Sequence, residues 1–165
     1  MCLQEHLSLE ANTLCTLPSG VAALPALRHL DLSCNALAWL PQGPYLRRLE
    51  TLILSANRLA VVPPVLCGAP ALEVLDLSSN PSLELCRADV DATLARVPRL
   101  ALLCLGKQAA STLGMPALGG GIGAAAAAEG LEWRTPSVAA LVALGQALPS
   151  LQIDFERTAK EYEGI

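Results

Sequence analysis

The sequence predicts an α/β solenoid. It is a repeat arc with a parallel sheet on its concave side, short extended, 3-10 or helical segments on its convex side, and a helical C-terminal cap. Two observations lead there. Leucines alternate in a short stretch and then give way to an Asn, as in Leu27-Arg28-His29-Leu30-Asp31-Leu32-Ser33-Cys34-Asn35-Ala36-Leu37. Near-copies recur at Leu49 to Leu59 and Leu72 to Asn80, and a looser one places Leu7, Leu9, Asn12 and Leu14. Composition agrees, because 53% hydrophobic residues with only 3% aromatics suits a core of stacked leucine layers.

Each repeat reads as one strand and a return segment. A single repeat cannot bury its own apolar side, so neighbours must stack to close a continuous core. In Leu30-Asp31-Leu32 the strand period of two points both leucines inward and Asp31 outward. Asn12, Asn35, Asn57 and Asn80 follow one another at 23, 22 and 23 residues. They are expected to stack as a ladder inside the solenoid, since an amide carries both donors and an acceptor for buried turn groups. Their role on this reading is structural.

The pattern Leu-x-x-Leu-x-Leu-x-x-Asn-x-Leu resembles the leucine-rich repeat family over residues 3–108. The return segments carry Leu17-Pro18, Leu24-Pro25, Leu40-Pro41 and Val62-Pro63. This resembles the intracellular "LP" subclass of the Ras-interacting type, with repeats of about 23 residues. Prolines hold these stretches to an extended path or a single turn, because Pro cannot continue a helical ladder. The resemblance implies a fold and a mode of binding but no particular partner.

Taken in order, residues 1–108 make about five repeats. The first starts close to Met1, so its strand Leu7-Ser8-Leu9 has little preceding chain to cover it; a partner packing at this open end is the favoured expectation. The second and third returns place Leu37, Leu40 and Leu46, then Leu59, Val62 and Leu66, toward the core. In the fourth, Asp89 reads as an N-cap and Val90, Leu94 and Val97 share a helical face ahead of Pro98. The fifth strand is Leu100 to Leu105, with Gln108 at the ladder position. Residues 109–130 form an Ala/Gly-rich insertion. Residues 131–165 read as a divergent last repeat and cap, in which Thr135 and Pro136 start a helix presenting Val138, Leu141, Val142, Gly145 and Leu148 to the core. Leu148-Pro149-Ser150-Leu151-Gln152-Ile153 repeats the leucine signature without an Asn, and Phe155 and Tyr162 share a face of the charged end.

Several functions are disfavoured. A net charge of −4 with only 11 Lys and Arg lacks the clustered basic face that nucleic acid requires. Residues 109–128 carry no charge, but eight Ala, five Gly and Pro116 make a poor membrane span. Gly119 to Ala124 brushes a dinucleotide-binding pattern without its strand–turn–helix context, and Gly106-Lys107 lacks the other parts of a P-loop. Residues 1–15 do not read as a signal peptide, and Asn80-Pro81-Ser82 has the Pro that blocks glycosylation. Six dispersed cysteines without CxxC spacing or a cysteine-rich cap point to reduced thiols and a cytoplasmic location.

The binding surface is expected on the concave sheet. Its outward columns are His6, His29, Thr51, Val74, Leu102 and Ser150; then Ser8, Asp31, Ile53, Asp76, Cys104 and Gln152; then Glu10, Ser33, Ser55, Ser78, Gly106 and Asp154. From these, His6, Ser8, Glu10, His29, Asp31, Ile53, Val74, Asp76, Leu102 and Cys104 are the candidate partner-binding residues. The face runs from acidic with histidines to an exposed apolar patch at Val74, Leu102 and Cys104, as interfaces do. His6 and His29, beside Glu10 and Asp31, have the donor types of a zinc site but no evident second shell. Cys34 with His29 would be the nucleophile pair, yet Cys34 reads as a small inward-packed side chain. The expectation is therefore a non-catalytic protein-interaction module with no cofactor, no metal and no membrane span. The alternative is a structural subunit of a large ciliary or cytoskeletal assembly.

Overall fold

The computed structural model describes residues 4–85, 87–106 and 138–155. The Ala/Gly-rich stretch 109–130, Gln108, the start of the last helix at Thr135 and the charged end with Tyr162 lie outside the described residues.

Six three-residue strands form one sheet, all parallel and in sequence order: β1 His6–Ser8, β2 His29–Asp31, β3 Thr51–Ile53, β4 Val74–Asp76, β5 Leu102–Cys104 and β6 Gln152–Asp154. The register aligns Leu7, Leu30, Leu52, Leu75, Leu103 and Ile153 in one row across the sheet. Leu30, Leu52, Leu75 and Leu103 have no exposed surface, whereas Leu7 and Ile153, on the two outer strands, are only half-buried. Each inner leucine is closed on both sides by its neighbours. Removing one of them leaves a cavity that costs about 2–5 kcal/mol.

The return segments are short because proline opens most of them. Pro18 precedes the single helical turn α1, Ser19–Ala22, and Pro44 and Pro64 open the 3-10 turns Pro44–Arg48 and Pro64–Gly68. Leu37, Leu40 and Leu46, then Leu59, Val62 and Leu66, all enter the core as their spacing predicts. Tyr45 joins them, fully buried, with its hydroxyl donating to the Pro41 carbonyl at 2.8 Å. Gly43 makes this packing possible: a Cβ there would run into the carbonyl oxygen of Ala22 and the Tyr45 ring.

Two helical expectations change. α2, Arg87–Ala92, begins before Asp89, so Asp89 lies in the first turn instead of capping it; its carbonyl accepts from the Thr93 amide. Val90, Leu94 and Val97 are buried as their spacing implies. In α3, Val138–Ala147, Ala143 and Leu144 are buried, with Leu148 just beyond, while Val142 is 53% exposed and Gly145 is exposed. Ala, Leu and Val lie all around this helix, so apolar spacing alone does not select its inner face. Among the described residues no helix is long and apolar enough to cross a membrane.

Side-chain amides join successive units. Asn35, Asn57 and Asn80 each donate to two carbonyls of their own turn and to Leu9, Leu32 and Leu54, respectively, in the unit before. Their Oδ1 atoms accept from the amides of Leu14, Leu37 and Leu59 at 2.9–3.0 Å. Asn12 departs from the expected interior ladder. It is exposed and bonds only the Leu9 and Glu10 carbonyls of its own turn, because no unit packs on its far side among the described residues.

Urea denaturation should therefore show Asn80→Ala losing about 1–3 kcal/mol by orphaning buried partners, and Asn12→Ala losing well under 1 kcal/mol. Burial also raises the Tyr45 pKa well above its ordinary value of 10.0. The folded state thus holds this proton more tightly than the unfolded state, and stability should be intact below pH 10 and fall as pH rises beyond it. In a Tyr162→Phe background, absorbance at alkaline pH should show no tyrosinate near pH 10 until the protein unfolds.

Candidate functional site

The outward sheet face carries two side-chain columns. One is His6, His29, Thr51, Val74, Leu102 and Gln152; the other is Ser8, Asp31, Ile53, Asp76, Cys104 and Asp154. The first five members of each column stand as the sequence places them. The last strand is corrected by two residues: Gln152 lies beside Leu102, not Cys104, and Asp154 beside Cys104. Ile153 aligns with Leu103 and Leu30. The signature ending at Ile153 had aligned Leu151 there, because Leu148-x-x-Leu151 imitates the leucine spacing. A shift of two keeps the same faces, so period alone does not expose it.

The ten candidate residues divide by burial. His6, Ser8 and Glu10 are exposed, and His29 and Val74 are partly so. Asp31, Ile53, Asp76, Leu102 and Cys104 are buried. Ile53, Leu102 and Cys104, with Val74 against them, form a second apolar cluster separate from the main core. The expected exposed apolar patch is thus a packed cluster, and only Val74 keeps appreciable surface.

The two aspartates turn back on their own strand ends. Asp31 Oδ1 accepts from the Ser33 amide at 2.9 Å and from Ser33 Oγ at 2.7 Å, and Asp76 Oδ1 accepts from the Ser78 amide at 2.9 Å. These are local Asx-type caps. The Asp-x-Ser spacing in Asp31-Leu32-Ser33 and Asp76-Leu77-Ser78 was the sequence signal for them. Ser78 Oγ differs from Ser33 Oγ: it is buried and has no hydrogen-bond partner among the described residues.

His6 and His29 stack, with ring centroids 5.6 Å apart and planes at 28°. Adjacent parallel strands in register produce this contact directly. Among the described residues no group of three or more His, Cys, Asp and Glu is arranged to hold a metal ion. Beside this face, Arg28 pairs with Glu50 and lies 3.8 Å from Glu5, and Arg99 pairs with Glu73 at 2.9 Å. These bridges are substantially solvated, so each contributes little to stability.

Cys34 is exposed, not packed inward. It occupies a left-handed turn position with φ 56°, as do Ala11, Ala56 and Ser79 with φ between 53° and 56°. Each immediately precedes an Asn of the ladder. The amides of Ala11, Cys34, Ala56 and Ser79 donate to Ser33, Ser55, Ser78 and Gly106 in the next unit at 2.9–3.0 Å. This backbone demand is common to all four positions and sets the Cys34 main chain. No Gly or Asn stands at these positions to mark the turn, so residue type gave no signal for it.

Searches against protein-family models and against curated proteins find no match.

Thermal or urea unfolding should separate the two serines. Ser33→Ala removes the Oγ–carboxylate bond and should lose about 1–2 kcal/mol, whereas Ser78→Ala removes an unpartnered hydroxyl and should be neutral or slightly stabilising.

Proposed function

We propose that this chain is a leucine-rich repeat solenoid acting, without catalysis, as a protein–protein interaction module. Its partner sits on the outward, concave face of the sheet or at the N-terminal end. The observation supporting this most is the in-register sheet, which sets six strands' side chains side by side on a face the main core does not use. The groups that could be taken for chemistry have structural work on this reading. Asp31 and Asp76 cap strands, the three inner asparagines join units, and Cys34 occupies a turn. His6, Ser8, Glu10, His29 and Val74 remain for contact, combining a polar rim with an apolar neighbour. Among the described residues Cys15, Cys34, Cys67 and Cys104 form no disulfide, which suits a reducing cytoplasmic setting.

The test is crosslinking and mass spectrometry from native extract with the full chain as bait, comparing wild type with His29→Glu/Val74→Arg. Both side chains have accessible surface, so unchanged circular dichroism should accompany at least a tenfold loss of captured partner. Capture that survives both this variant and a Ser8→Pro/Asn12→Ala variant would remove the proposal.

A further inference from the structure

We draw no further inference here: the strongest candidate, the stacked side-chain pair His6 and His29 on the outward sheet face, carries nothing because its two imidazole planes, at 28° to one another, converge on no common ligand position and belong to no group of three or more metal-ligating side chains among the described residues.

Discussion

The amide of asparagine reaches two units at once, and the rest of the structure depends on that reach. At Asn57 and Asn80, Nδ2 collects two carbonyls from its own turn and one from the unit before, while Oδ1 takes an amide five residues further along that earlier unit. All these groups are removed from water and would be costly if left unpaired. A hydroxyl has one donor, and a carboxylate is acceptor-only when ionised, so neither fits the same set of partners. The leucine rows supply the larger apolar term, but leucine packing alone is non-directional. The asparagines fix the spacing and angle at which those rows meet.

The left-handed residues are the other half of this turn. Ala11, Cys34, Ala56 and Ser79 adopt a backbone conformation that costs an L-residue about 1–2 kcal/mol. The conformation sends each amide toward a carbonyl in the next unit, while Asn35, Asn57 and Asn80 bind backward to the previous one. These three turns are therefore tied in both directions. The aspartates at Asp31 and Asp76 add a local cap to two strand ends. Ile53 occupies the matching position between them and caps nothing, joining the second apolar cluster instead.

Because the first three junctions use one pattern, the β1 end of the sheet differs from its middle in a defined way. On β1, Leu7 is half-buried, unlike the fully buried Leu30, Leu52, Leu75 and Leu103 of its row. The stacked His6 and His29 rings lie at the same end, beside the acidic Glu5 and Glu10. The opposite half of the outward face is dominated by the buried Ile53, Leu102 and Cys104. Polar surface and half-buried leucines thus coincide at the N-terminal side.

The sequence by itself determined the strands, their parallel order, the inward leucine row and the inner asparagines. Each follows from a short period repeated several times, so every copy reinforces the others. It also held the Asp-x-Ser caps, legible as local spacing. What it left to tertiary structure were features set by neighbours instead of by period. The register of β6 turned on which of two leucine-like spacings packed against Leu103, and the inner face of α3 turned on contacts that an all-apolar helix does not announce. Burial of Ile53, Leu102 and Cys104 could not be read from an outward strand position, because alternation names a face and not what lies over it. Asn12 shows the same limit most plainly: its residue type matches the buried Asn57 and Asn80, yet it is exposed, because burial is set by what packs beside a turn and not by the turn's own residues.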